Sequence, residues 1–247
     1  MTKKIEIVMG MPITVVITDN LQPSTINPFE KVFAYFREVD EKYSPFKETS
    51  EVAKLNRGEK VSNEMKFILS LSQDLRNLTD GYFDIKRPDG KIDPSGIVKG
   101  WAILNAAKIL KNLAVKNFYI DAGGDVQTSG KNAEGKKWRL GIRNPFNKKE
   151  NIKVVCLSGE GIATSGTYER GQHIYDPVGK KNEINDIVSL TVIGPNVFEA
   201  DKFATPAFAM GKRGIEFIEK MPGLEGYMID KEGIATMTSG FSKYAID

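Results

Sequence analysis

The clearest hydrophobic pattern in the chain follows Asn27-Pro28, which supplies an N-cap and a first-turn proline. Phe29, Val32, Phe33, Phe36, Val39 and Tyr43 then recur at helical spacing until Pro45 stops the run. Residues 50–56 predict a short helix closed by Gly58, and residues 63–79 a second long one with Met65, Ile68, Leu69, Leu75 and Leu78 on one side. A further helix is expected over 97–113, carrying Ile97, Trp101 and Leu104. Residues 199–210 and 212–220 predict two short helices, broken near Pro206 and Gly211.

Strand patterning appears over 5–18, interrupted by Gly10 and Pro12, and again at 117–121, 137–143, 153–158 and 187–193. Residues 226–230 and 234–237 form a hairpin pattern around a Lys-Glu-Gly turn. Residues 80–96 are punctuated by Asp80-Gly81, Pro88, Asp89-Gly90, Pro94 and Gly96, so a turn-rich connection is expected there. Helices and strands mix without regular alternation, which favours α+β over a doubly wound sheet.

Composition narrows the function classes. Hydrophobic residues at 40% and charged residues at 27% of 247 describe an ordinary globular chain, long enough to bury a substantial core. A formal charge of +3, without an arginine-rich run or a cluster of stacking aromatics, gives no case for nucleic acid. The one cysteine, Cys156, excludes an internal disulfide and sits in the apolar run Lys-Val-Val-Cys-Leu, where a buried inert thiol is expected. No segment has the length and apolarity of a membrane span, and the N-terminus lacks the apolar region of a signal peptide; a cytoplasmic location is expected.

Four stretches carry candidate chemistry. Residues 161–179 hold the only histidine, His173, among small and polar residues with neither helical nor strand period, and read as a loop. Neutral imidazole suits proton transfer near neutrality. In Lys91-Ile-Asp-Pro-Ser-Gly-Ile-Val-Lys-Gly-Trp101 a Ser-Gly turn opens a helix, presenting backbone N–H groups to an anion with Lys99 in the first turn. Phe118-Tyr-Ile-Asp-Ala-Gly-Gly-Asp125 is an apolar strand ending in paired glycines, which allow close approach of a ligand. Asp201 and Thr205 are four apart on a helix and share a face, as hard-cation ligands such as those of Mg²⁺ would, and as an ordinary surface pair also would. Together a phosphate-ready helix start, a Gly-Gly strand end, hard-metal ligands and a base suit phosphoryl transfer.

The order of these parts resembles the ApbE family, the FAD:protein FMN transferases. The resemblance runs nearly end to end. It takes in Met9-Gly10, Tyr43-Ser-Pro-Phe46, Ser50-Glu51, Leu55-Asn56, Gly81-Tyr-Phe-Asp84 and Asp93 through Gly100. It continues through Ala122-Gly-Gly-Asp125, Trp138 to Ile142 with Asn144-Pro145, Ala163-Thr-Ser-Gly166, His173-Ile174, Asp176-Pro177, and Ala200-Asp201 to Thr205. The resemblance implies one domain over residues 1–247, with two α/β parts packed around an FAD-binding cleft.

It also implies Mg²⁺-dependent cleavage of the FAD pyrophosphate, attachment of FMN by a phosphoester to a threonine of a target flavoprotein, and release of AMP. Met9, Phe46, Tyr82, Phe83, Asp84, Asp93, Lys99 and Ile174 would contact FAD. Asp201 and Thr205 would bind Mg²⁺ through side chains and Gly96 through its carbonyl, while His173 would be the general base. Three departures stand out: a short segment between Asp84 and Asp93, Asp93-Pro94 in place of Asp-Leu, and Asn105 where an acidic residue is usual. No lipobox is present, so the expected target is a cytoplasmic flavoprotein. An FAD pyrophosphatase yielding FMN and AMP fits the same parts, whereas a non-catalytic FAD carrier, the other alternative, would have no use for Asp201, Thr205 and His173.

Overall fold

The computed structural model describes residues 1–20, 26–147, 149–167, 176–179 and 183–246. Its centre is an eight-stranded sheet in which every neighbouring pair is antiparallel. The strands are β1 (Thr2–Val8), β2 (Met11–Ile17), β3 (Phe118–Ala122), β4 (Asp125–Ser129), β7 (Gly161–Gly166), β8 (Ile187–Gly194), β9 (Glu225–Asp230) and β10 (Ala235–Met237), in that spatial order. Between β4 and β7 the chain leaves to form β5 (Trp138–Arg143) and β6 (Asn151–Leu157), which pair with β11 (Ala245–Ile246) as a small second sheet.

The pleat divides the large sheet's side chains between two cores. Ile13, Val15, Ile17, Phe118, Ile120, Leu190, Val192 and Met228 face a helical layer. Val126, Ile162, Ile193, Tyr227 and Ile229 face the other way, against Ile142, Val155, Leu157 and Phe241 of the small-sheet side. Trp138 fixes that second contact, its ring edge-on to Tyr119 and its indole N–H donating to the Ser129 carbonyl at 2.9 Å.

The helical layer follows the sequence pattern closely. α1 (Pro28–Tyr43) is capped by Asn27, whose side chain accepts from the Phe29 N–H, and it buries all six apolar residues of its stripe. α2 (Glu51–Asn56) and α3 (Asn63–Leu78) start at Ser50 and Ser62, each accepting from the N–H three residues on. α4 (Ser95–Asn112) packs against α1, α3, α5 (Val197–Ala209) and the sheet, which explains why apolar residues surround most of its circumference. α6 (Arg213–Glu219) completes the layer beside α5. The mixed α+β architecture expected from the sequence is the one observed.

Three local expectations change. Residues 161–166, read as the start of a loop, are strand β7. Both faces of that strand are covered, so apolar/polar alternation is absent. Its first residue passes so close under α5 that a Cβ on Gly161 would lie 1.9 Å from the Val197 nitrogen, which demands glycine where a strand pattern would want a branched residue. The break expected near Pro206 is absent, because α5 continues through it to Ala209. Cys156 is half-buried rather than buried, on a strand of the small sheet.

Candidate functional site

A cavity of about 780 Å³ opens where the helical layer meets the ends of the central strands. That volume lies within the range of about 300–1,000 Å³ usual for small-molecule and cofactor sites. Its walls come from the β1–β2 turn, the segment after α1, the turn-rich connection before α4, the first turns of α4, the end of β7 and the inner face of α5. Met9, Phe46, Tyr82, Phe83, Asp84, Asp93, Gly96, Lys99, Asp201 and Thr205 all line it, so ten of the twelve residues singled out from sequence meet in one place. The other two, His173 and Ile174, lie outside the described residues.

Local backbone chemistry explains how each wall is placed. Met9 and Gly10 form the two-residue β1–β2 turn, both with positive φ (56° and 72°). Methionine is an uncommon residue in that conformation, and here its side chain reaches the cavity. α3 ends in a left-handed cap at Asp80 and Gly81, where the Gly81 N–H donates back to the Arg76 carbonyl at 2.8 Å. The reversal delivers Tyr82, Phe83 and Asp84 to the cavity. Phe83 is almost fully buried with its ring beneath Gly96, the Tyr82 hydroxyl meets Arg213, and Asp84 pairs with Arg76 at 3.0 Å. Asp93 accepts from both the backbone N–H (3.1 Å) and the hydroxyl (2.5 Å) of Ser95, which sets the start of α4. No side chain caps that helix.

The deepest part of the cavity is charged. Asp201, 3% exposed, accepts from the Gly100 N–H at 2.8 Å and lies 3.3 Å from the Lys99 ammonium. The fit at Gly100 requires glycine, since a Cβ there would come within 2.8 Å of both the Asp201 Cβ and its carboxylate. Lys99 also pairs with Asp125, itself 2% exposed and accepting from the Thr164 N–H at 3.1 Å. One helical turn beyond Asp201, the Thr205 hydroxyl lies 3.4 Å from that of Ser165.

Burial pushes the Asp201 carboxyl up to about 7; Lys99 opposes that shift and the neighbouring Asp125 adds to it. A divalent cation would favour the ionised form of Asp201 here, and an oxygen set of carboxylate, hydroxyl and carbonyl suits a hard ion. The residues therefore fit Mg²⁺. Among the described residues, no group of three or more His, Cys, Asp or Glu gathers anywhere, so a thiolate- or imidazole-rich metal centre has no counterpart there.

Thr164 and Ser165 line the cavity, and Asp125 and Gly100 contact its Lys99 and Asp201, although none was singled out from sequence. All four fall inside stretches that carry the family resemblance, which was the available signal for them.

A cavity that joins a buried carboxylate, a lysine and a hydroxyl to an aromatic-lined mouth suits an anionic, ring-bearing ligand. The chain belongs to the ApbE family, whose sequence model matches residues 9–89 and 85–228. It is 27% identical over 225 residues to the FAD:protein FMN transferase of Escherichia coli K12, which covers 87% of this chain and 61% of that protein. A Klebsiella pneumoniae protein of the same name is 32% identical over 155 residues, 59% of this chain and 44% of its own length. This chain thus spans less than two thirds of the length of these relatives. Among solved structures, the flavin transferase ApbE from Vibrio cholerae superposes with a TM-score of 0.85 at 22% identity, covering 98% of each chain. The ApbE protein from Thermotoga maritima does so at 0.83 and 21%, over 100% and 99%. Those superpositions establish the fold. No helix among the described residues is long and apolar enough to cross a membrane.

Proposed function

We infer that this chain is a Mg²⁺-dependent FAD:protein FMN transferase. The observation that carries the reading is the junction of Asp201, Thr205 and Lys99 at the floor of a cavity whose mouth is lined by Phe46, Tyr82 and Met9. Floor and mouth match the two ends of a flavin nucleotide, and relatives bearing that activity as their name align over most of the chain.

In this reading the FAD pyrophosphate lies over the first turns of α4, where the helix N-terminus and the Lys99 ammonium offset its charge. The Asp201 and Thr205 side chains and the Gly96 carbonyl would hold Mg²⁺, which supplies further neutralisation of the pyrophosphate. A threonine hydroxyl of the target protein attacks the FMN phosphorus, forming a phosphoester as the P–O bond to AMP breaks. His173 takes the hydroxyl proton as general base, a contribution of about 10²–10⁴-fold in such reactions. Phe46, Tyr82 and Met9 hold the ring system, with Phe83 completing the apolar lining and Asp84 and Asp93 fixing the turns beside it, and Ile174 is a further FAD contact in this reading. Residues 1–247 act as one domain, and a cytoplasmic flavoprotein is the expected acceptor.

The test combines purified protein, FAD, Mg²⁺ and an acceptor bearing a flavinylation-type threonine. Covalent flavin fluorescence on the acceptor, with equimolar AMP and dependence on Asp201, supports the reading. AMP without a fluorescent acceptor identifies FAD hydrolysis instead. Retained FAD with neither product identifies a carrier.

A further inference from the structure

The transferase reading uses Lys99, Asp201 and Thr205 and gives no role to Asp125, the buried carboxylate that pairs with Lys99. Its geometry is that of an anchor. Asp125 opens β4, in the middle of the large sheet, and the Thr164 N–H of β7 fixes one of its oxygens at 3.1 Å. The other oxygen pairs with the Lys99 ammonium, more closely than Asp201 does at 3.3 Å. Asp201 sits on a different element, α5, with one oxygen taken by the Gly100 N–H. Lys99 therefore bridges a carboxylate built into the sheet and a carboxylate that the reading gives to the metal.

We propose that Asp125 is a positioning residue that retains Lys99 at the pyrophosphate site, so that the ammonium stays beside the substrate when Asp201 turns to the metal. The inference rests on the transferase reading of the cavity. Physically, a lysine is a flexible point charge whose placement must come from its partners. Held only by Asp201, Lys99 would compete with the divalent cation for that carboxylate and withdraw from the phosphates. Held by Asp125, it leaves Asp201 available and keeps its charge beside the ligand.

The electrostatic sign makes the inference separable from a bystander role. FAD is a polyanion, so deleting a nearby negative charge strengthens its binding unless that charge was holding a cation in place. The measurement is FAD affinity by flavin fluorescence in EDTA, which removes metal and turnover from the readout. Asp125→Asn keeps the acceptor for the Thr164 N–H. It is expected to weaken FAD binding about tenfold, the scale of one lost charge-assisted hydrogen bond. Lys99→Met is expected to weaken it similarly, and the double variant no further than either alone. Should Asp125→Asn melt well below the parent, Asp125→Glu provides the second arm: it keeps the charge, shifts it by one methylene, and should still weaken binding.

Unchanged or tighter FAD binding in Asp125→Asn would overturn the inference while leaving the flavin reading intact. So would a double variant whose loss is the product of the two single losses, since Asp125 would then act without Lys99. A parent protein that binds no FAD would overturn the flavin reading, and the inference with it.

Discussion

The two ends of the cavity are built in opposite ways. At the floor, Asp125 and Asp201 are 2% and 3% exposed, and each carboxylate is tied to a backbone N–H of a different element. At the mouth, Phe46 is 90% exposed on the segment that follows α1, and Tyr82 and Asp84 ride on a connection made of turns. Floor geometry depends on the packing of β4, β7, α4 and α5, so moving any charge there means moving core. Mouth geometry depends on short-range turns and surface pairs such as Arg76–Asp84, which contribute little to stability. On the proposed transferase reading, reaction chemistry would fall to the rigid end and ligand capture to the adaptable one.

The strongest attack on this contrast is Asp201→Ala. It is expected to lower transfer by roughly 10²–10³-fold, the scale of losing one group that stabilises transition-state charge. Steady-state AMP release would measure it, and a loss below about tenfold would show that the floor is not where charge is managed. Gly100→Ala comes next. Its Cβ would press on the Asp201 carboxylate, so Mn²⁺ affinity, followed by electron paramagnetic resonance, should fall about 10–100-fold, as when a group orienting a metal ligand is lost. An unchanged affinity would mean that Asp201 can move freely, against the rigid-floor picture.

Phe46→Ala probes the other end. A ring this exposed adds little to folding, so the melting temperature should stay within a degree or so of the parent. FAD affinity should fall about 30-fold, the middle of the range for aromatic stacking on a base. A melting temperature that drops with no change in affinity would reverse the assignment and make the mouth structural.

The same contrast explains what could be read from the sequence. Helices α1, α2 and α3 were legible because their caps, Asn27, Ser50 and Ser62, and their apolar stripes are local signals. The mouth residues came only from the family resemblance, through short motifs such as Tyr43 to Phe46 and Gly81 to Asp84. Strand β7 was not, because its composition answers to α5 passing over Gly161 rather than to any periodicity. The link between Lys99, Asp125 and Asp201 was equally hidden, since three elements distant in sequence must fold before those charges meet. Long-range packing was the missing information in both cases.

The smallest predicted effects separate carboxylates that the fold uses from those it merely tolerates, through acid dependence of stability. Burial raises the Asp121 carboxyl above its ordinary value and the charge of Asp125 adds to that, against the pull of the Gly124 N–H, Arg143 and Lys3. Asp19 moves the other way. Burial alone would raise it, but bonds from Asn117 and the Lys116 N–H prevail and lower it. A raised native pKa means the folded state holds its proton longer, so stability at Asp121 falls as pH rises above about 3.9, the unfolded carboxylate value. Asp121→Asn removes that fall, and should be more stable than the parent at pH 7, with the difference vanishing near pH 3. A lowered pKa has the opposite consequence. The contribution of Asp19 is complete above its unfolded value and is lost as pH drops through the native one, so Asp19→Asn should be less stable than the parent at pH 7 and progressively less so in acid. Urea unfolding of both variants across pH 3–7 would show two differences of opposite sign converging at the acid end. Two curves of the same sign would mean that the hydrogen bonds pinning Asn117 to the end of β2 do not outweigh the burial of Asp19.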